Sequence, residues 1–365
     1  MTEVAVDLGA RGYAVHVSPG AVETLPAVVA ALAPPRAVVV SSPTVWGLHG
    51  GAVEAALGRN VARVLVSDAE SRKSRRTLDR IHDGFVDAGL GRDGLVIAFG
   101  GGVVGDMAGF AAATYMRGVD WIVVPTTLLS MVDSSIGGKV GINHPRAKNL
   151  IGAFHQPRAV IADLSLLSTL PRREARSGAY EILKCGVIAD PALFAAIARA
   201  PAALASWPGL EAAVTAACRV KARIVATDER EGGLRRNLNF GHTIGHALET
   251  VTAYRRFTHG EAVGWGMIGA ASIAHARGVL PDGARAEIAA AVDALGRRPS
   301  LARLDDDQIL AALARDKKAR AGRVPFILPT RIGEVIVDPD VSTAEIRDAL
   351  RVMGVGTRPE VAIAP

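Results

Sequence analysis

The patterning of this 365-residue chain predicts an α/β fold in two parts: a doubly wound parallel-sheet domain over residues 1–170, followed by an all-α domain over residues 171–365. Three observations predict it. Short, continuous apolar runs alternate with helical stretches through the first half, the signature of parallel strands joined by crossover helices. From about Pro171 those runs give way to long Ala/Leu-rich segments. The length exceeds what one typical core holds.

The strand segments are 36–42 (RAVVVSS), 61–67 (VARVLVS), 94–100 (GLVIAFG), 121–125 (WIVVP) and 159–163 (AVIAD). Each is apolar without alternation, as expected for strands covered on both faces. Residues 3–8 and 13–18 fit an opening hairpin around 9–12, and 74–88 has apolar positions at helical spacing. In the second part, helices are expected at 174–188, 191–205, 209–227, 237–252, 260–277, 283–295 and 306–315. One late hairpin is expected from 324–328 and 334–337 around Pro329–Gly333. The tail, 354–365, carries Pro and Gly with little pattern, and poor order is expected there.

Composition narrows the function classes. A net charge of +6 is modest for this length, and the Arg residues are spread rather than clustered. Nucleic acid is therefore disfavoured, whereas an anionic small substrate is compatible. Two cysteines, Cys185 and Cys218, make a disulfide framework implausible and fit a reducing, cytoplasmic setting. No signal peptide is apparent at the N-terminus. No run of about 18 uncharged apolar residues exists to span a membrane.

Residues 99–106 (FGGGVVGD) follow a strand and open a helix, and Gly100, Gly102 and Gly105 satisfy G-x-G-x-x-G. Glycine lets the backbone approach a phosphate, and the helix N-terminus offers free N–H groups and a favourable dipole. The turn follows the third main strand rather than the first, and no acid follows the next strand at the ribose-binding position. The expected domain is Rossmann-like rather than an ordinary dinucleotide fold. After the fourth strand, Thr126 and Thr127 precede Asp133, Lys139, Asn143, Lys148 and Asn149. Hydrogen-bonding side chains crowd this loop-forming stretch at the carboxyl end of a parallel strand, where open α/β sheets bind ligands. Lysines flanked by glycine suit an anion.

His242, His246 and His259 fall within residues 239–261. His242 and His246 are four apart and share a helix face. Three imidazoles this close suit a metal site or proton chemistry, or a helix that simply carries polar histidines. Glu181 and Lys184 are three apart, the spacing of an exposed ion pair, but apolar residues surround them. A carboxylate there is able to complete a metal set with two histidines, a common catalytic zinc arrangement. Arg235 and Asn239, just before His242, suit phosphate and hydroxyl recognition.

In this order the motifs resemble the 3-dehydroquinate synthase family of sugar-phosphate cyclases. The resemblance rests on Glu70-x-x-Lys73, the glycine turn at 100–106, YMRG at 115–118, PTTLL at 125–129, VDSSIGGK at 132–139, Lys148-Asn149 and GAF at 152–154. It continues through Ser177-Gly178 with Glu181 and Lys184, Arg235 with LNFGH at 238–242, His246, HGEAV at 259–263, and Asp316-Lys317-Lys318.

The resemblance implies an NAD-dependent, zinc- or cobalt-dependent enzyme acting on 3-deoxy-D-arabino-heptulosonate 7-phosphate. The products are 3-dehydroquinate and phosphate, on the shikimate route to aromatic amino acids. It implies Glu181, His242 and His259 as metal ligands. For NAD it implies Asp68, Glu70, Lys73, Gly102, Val103, Val104, Gly105, Asp106, Thr126, Thr127, Lys139, Lys148, Leu166 and Thr169. Asp133, Lys184, Lys221, Arg235 and Asn239 are implied at substrate hydroxyls and carboxylate. Lys139, Asn149, His246 and Lys317 or Lys318 are implied at phosphate. Arg117 is implied to reach the phosphate in a neighbouring subunit, hence a homodimer.

The implied reaction oxidises a secondary alcohol, eliminates phosphate beside the new ketone, returns the hydride, opens the ring and closes a carbocycle by an aldol step. The protein's part is mainly to position and polarise. Two positions depart from the pattern. Ser42 stands where an acid often meets the adenosine ribose, and Tyr180 stands where a small residue usually precedes the metal Glu. The alternatives are a sister cyclase using sedoheptulose 7-phosphate, a metal-dependent polyol dehydrogenase, and a silent ligand-binding protein. Asn239 and Lys317-Lys318 match the dehydroquinate pattern, the phosphate set argues against the dehydrogenase, and the intact metal positions argue against the silent protein.

Overall fold

The structure, a computed structural model, describes residues 1–58, 60–205, 207–314 and 323–356. Lys317, Lys318 and the end of the tail, 357–365, lie outside the described residues.

The first half supplies a seven-stranded sheet. Its strands are β1 (Thr2–Val6), β2 (Tyr13–Ser18), β3 (Ala37–Ser41), β4 (Ala62–Leu65), β5 (Leu95–Gly100), β6 (Asp120–Pro125) and, after a separate hairpin, β9 (Ala159–Asp163). The order is β1-β2-β9-β6-β5-β3-β4. Only the β1–β2 pair is antiparallel; the rest of the sheet is parallel. The opening hairpin therefore extends the main sheet through the β2–β9 pairing. All six residues of β5 are buried, as an unalternating apolar run requires. Val39, Ile97, Phe99, Ile122, Val124 and Ile161 form one core cluster with Leu25 of α1 (Leu25–Leu32) and Val53 of α2 (Pro43–Leu57). The helix α3 (Arg75–Asp87) packs on α4 (Gly102–Thr114), which in turn packs on β5 and β6.

Lys139, Gly141, Asn143, Lys148 and Asn149, read from sequence as part of a loop-forming stretch, instead lie on an antiparallel hairpin of β7 (Lys139–His144) and β8 (Ala147–Phe154). Gly141 and Gly152 face each other across it. A Cβ on Gly152 would lie 2.2 Å from the Val140 carbonyl oxygen, so glycine is required where it usually marks a turn.

The later helices are α5 (Arg172–Ala189), α6 (Pro191–Arg199), α7 (Trp207–Thr227), α8 (His242–Val251), α9 (His259–Ala276), α10 (Asp282–Ala294), α11 (Asp306–Ala314) and α12 (Thr343–Val352). A hairpin of β10 (Arg323–Arg331) and β11 (Glu334–Ser342) precedes α12. The helix expected at 237–252 is divided. Leu234–Asn239 is a 3-10 turn, Gly241 takes a left-handed φ of 78°, and α8 starts afresh at His242. α12 has no counterpart among the helices expected from the sequence, although Ser342 and Glu345 form a full capping box at its start.

Two compact units emerge. One comprises Met1–Gly178 with Ala205–Arg230; the other comprises Ala179–Leu204 and the chain from Glu231 onward. In the first, α7 packs on β1 and β2. In the second, α8 and α9 lie against each other, α10 and α12 pack on α9, and α11 packs on α8. Among the described residues, no helix is long and apolar enough to cross a membrane.

Candidate active site

In the first unit, the chain steps outward from β3 to β4, then returns so that β5 lies on the other side of β3. Such a reversal makes a crevice at the carboxyl ends of the two strands, the usual ligand position of an open α/β sheet. The glycine turn opens α4 there. A Cβ on Gly100 would lie 2.7 Å from the Val104 side chain, whereas one on Gly105 would meet nothing within 4 Å. Gly100 is thus needed for packing, and Gly105 leaves the first turn of the helix open to a ligand. Ser42, at the end of β3, is fully buried, and its hydroxyl accepts from the Val45 N–H at 3.2 Å as the N-cap of α2.

Most of the residues that sequence assigns to nucleotide or phosphate meet in the same unit. The Lys73 ammonium is 3% exposed and donates to both Asp106 on α4 and the Asn149 side chain on β8. Burial raises the Asp106 pKa, outweighing the pull of Lys73. Glu70 lies 3.9 Å from the Lys148 ammonium. Buried Thr126 donates its N–H to the Gly100 carbonyl at 3.0 Å, fixing β6 beside the turn. Thr127 hydrogen-bonds Ser130, 2.9 Å between hydroxyls. Thr169 lies 2.7 Å from His49 Nε2. Lys221, on α7, donates to the Asp133 carboxylate and, at 2.6 Å, to its carbonyl. Val103 is half-buried, Lys139 is exposed at the start of β7, and Asp68 is exposed. Leu166 is buried in the core cluster. Arg117 is exposed in a turn where Met116, Arg117 and Gly118 all have positive φ, 48°, 70° and 120°.

The second unit holds the histidines. A Cβ on Gly266 of α9 would lie 1.8 Å from the Gly241 carbonyl oxygen, and one on Gly245 of α8 would lie 3.1 Å from that of Ala262. Glycine at these points lets the two helices touch backbone to backbone. Thr258 caps α9 in a capping box with Glu261 and so sets His259 as its first residue. His242 is likewise the first residue of α8. The two imidazoles therefore meet at adjacent helix starts, with ring centroids 5.1 Å apart.

Glu181 of α5 completes the group. Its Oε1 lies 3.7 Å from His242 Nε2 and 3.6 Å from His259 Nε2, and the residue is 1% exposed. A tetrahedral ion with bonds of about 2.0–2.2 Å separates its ligands by about 3.3–3.6 Å, so the donor set fits a divalent metal. The outer nitrogens are also held. His242 Nδ1 lies 3.1 Å from the Phe240 carbonyl, and His259 Nδ1 lies 3.5 Å from the buried Glu249 carboxylate. Partners of this kind fix the ring and tautomer of a metal-bound histidine. Burial pushes the His242 pKa well below its usual value, and Lys184 pushes the same way. Burial also lowers that of His259, but hydrogen bonds to Glu181 and Glu249 outweigh it and carry it up to about 10.

His246 is exposed and forms a second cluster with Glu249 and His259. Filling that cluster would take Glu249 from its role behind His259, which favours the Glu181–His242–His259 set. Lys184 is 1% exposed and pairs with Glu181, which settles that pair as buried rather than a wet-face salt bridge. Arg235 is 2% exposed. The Asn239 amide donates to Glu231 at 2.8 Å, and Glu231 itself has a left-handed φ of 61°. Tyr180 is fully buried, donates its hydroxyl to the Gly296 carbonyl at 3.1 Å and lies beside Gly264, so its bulk is packed into the helical unit.

Glu249 and Glu231 were missed in the sequence. Glu249 had a signal, since it lies one helical turn past His246 and two past His242. Glu231 had none, because its role depends on a backbone conformation rare for a side-chain-bearing residue.

The fold is shared widely. A maleylacetate reductase from Agrobacterium tumefaciens is similar with a TM-score of 0.62 and 19% identity, over 94% of this chain and 97% of that one, a likeness of fold alone. Profiles of the 3-dehydroquinate synthase N-terminal and C-terminal regions match residues 63–177 and 178–319. The 2-epi-5-epi-valiolone synthase of Streptomyces hygroscopicus subsp. jinggangensis 5008, solved with NAD+ and Zn2+ bound, is 31% identical over 97% of this chain and 98% of that one, with a TM-score of 0.84. A 2-deoxy-scyllo-inosose synthase complexed with carbaglucose-6-phosphate, NAD+ and Co2+ is 25% identical over 96% and 99%, with a TM-score of 0.87. These likenesses define the class as sugar-phosphate cyclases. The chain belongs to the 3-dehydroquinate synthase family.

Proposed function

We propose that this chain is a 3-dehydroquinate synthase, a phosphate-eliminating carbon–oxygen lyase that converts 3-deoxy-D-arabino-heptulosonate 7-phosphate to 3-dehydroquinate and phosphate. The observation that carries the reading is a carboxylate–imidazole tripod, with Glu181 and His242 buried and His259 partly open, in the same unit as two cations, Lys184 and Arg235, both no more than 2% exposed. Positive charge in this unit, Lys184 paired with Glu181 and Arg235 buried, suits an anionic substrate, here one with a carboxylate and a phosphate.

NAD and a divalent metal, when bound, supply transient removal of a hydride from a secondary alcohol and its return. Glu181, His242 and His259 hold the metal, with Glu249 and the Phe240 carbonyl orienting the histidines. Lys184, Arg235 and Asn239 bind and orient the substrate's carboxylate and hydroxyls, and Glu231 aims the Asn239 amide. His246, exposed beside the tripod, bonds the phosphate as it leaves. In the first unit, the turn from Gly102 to Asp106, with Glu70, Lys73, Thr126, Thr127 and Lys148, binds the dinucleotide. Asp133 and Lys221 bind hydroxyls, and Lys139 and Asn149 bind phosphate. The family resemblance also supports a homodimer, with Arg117 contributing across it, and the two free cysteines, Cys185 and Cys218, fit a cytoplasmic setting.

The likeness to a valiolone synthase favours a second reading, cyclisation of sedoheptulose 7-phosphate. One assay separates the two. The protein is mixed with NAD, zinc or cobalt, and each sugar phosphate in turn, and phosphate release and carbocycle formation are followed. Turnover of the heptulosonate phosphate without net NADH is expected. Turnover of sedoheptulose 7-phosphate alone, or accumulation of NADH, overturns the proposal.

A further inference from the structure

We infer that Asn143 is a positioning residue that ties the dinucleotide-binding residues of the first unit to its phosphate-binding residue. The inference rests on the dinucleotide reading above. Asn143 lies on β7, half-buried, and belongs to neither binding set. Its amide nitrogen donates to the Glu70 carboxylate at 2.7 Å and lies 3.3 Å from the Glu70 carbonyl. Its amide oxygen accepts the backbone N–H of Asn149 at 2.8 Å. Its own backbone N–H donates to the Lys73 carbonyl at 2.8 Å.

These bonds close a ring. Asn149 accepts from the Lys73 ammonium, and Lys73 also pairs with Asp106 at the start of α4. Asn149 needs the support of its backbone bond, because its φ of 51° is in the left-handed region. One planar amide thus offers a donor edge to Glu70 and an acceptor edge to Asn149, a pairing that neither a carboxylate nor an aliphatic side chain reproduces. A shift of Asn143 moves Glu70 and Asn149 together.

The two edges are separable by substitution. Asn143→Asp keeps an acceptor for the Asn149 N–H but loses the donor and sets a second carboxylate against Glu70. Asn143→Ala loses both. Calorimetric titrations of the full chain with NAD and with inorganic phosphate, on each variant, read the split. Asn143→Asp is expected to weaken NAD roughly 10-fold or more while leaving phosphate within about 3-fold, and Asn143→Ala to weaken both. A general loss of packing lowers both affinities in both variants, so the split is not a structural side effect. Unchanged NAD affinity in Asn143→Asp, or equal loss of both ligands there, overturns the inference. Wild-type protein that binds no NAD overturns the dinucleotide reading itself, a result distinct from an unperturbed variant.

Discussion

Glu181, His242 and His259 come from positions about sixty and eighty residues apart, yet their facing donor atoms lie within 4.8 Å of one another. Sequence spacing pointed first to His242 and His246, one turn apart on a helix. The structure instead sets His242 and His259 at the starts of two touching helices and leaves His246 exposed. Glu181→Ala and His259→Ala are each expected to lose bound metal on dialysis, read by elemental analysis, whereas His246→Ala retains it. Glu249→Ala is expected to weaken metal binding by about 10–100-fold, as loss of an outer-shell partner generally does. Equal metal loss in His246→Ala and His259→Ala would place the ion in the His246–Glu249–His259 cluster.

At the scale of elements, glycines govern how closely the site can assemble. Gly266→Ala puts a methyl where the Gly241 carbonyl already stands, so α8 and α9 must separate. A cost of about 1–3 kcal/mol is expected from overpacking, along with weaker metal binding, because His242 and His259 ride on the separated helices. Retention of wild-type metal affinity and melting temperature would refute this account. The carboxyl end of α9 is anchored differently. Arg277 pairs with Asp338 and, at 2.5 Å, with Glu345 at the start of α12. The bond to Arg277 holds the Glu345 carboxyl down at about 2, against an ordinary 4.5. A lowered folded-state pKa stabilises the protein above pH 4.5, and the effect is lost as pH falls toward 2. Glu345→Gln keeps the capping geometry but not the charge. It is expected to cost on the order of 1 kcal/mol at pH 7 after solvent screening, with the difference from wild type shrinking below pH 4.5. Thermal melts across that range measure it; a constant difference at all pH values would exclude the ion pair as its source.

For the whole molecule, legibility followed how local the signal was. The parallel strands were readable because burial on both faces writes an unbroken apolar run, as in β5. The β7–β8 hairpin was not, because Gly141 and Gly152 are there for cross-strand clearance, and from sequence such glycines read as loop. Glu181, Lys184 and Arg235 stood out as candidates, but their near-complete burial is a property of packing that no local window contains. The candidate metal set came from the family resemblance rather than from spacing.

The chain's path has a practical consequence. α7 follows the first two helices of the second half, yet it packs on β1 and β2, and its Lys221 holds Asp133. A gene fragment ending near residue 170 would encode the nucleotide sheet without that helix, leaving apolar strand surface bare and Asp133 without its lysine. Separate production of the two units therefore calls for cuts near residues 178, 204 and 230, with 205–230 spliced back onto the first piece. A split-enzyme reporter made with a single cut in midchain would be expected to aggregate before its halves could complement.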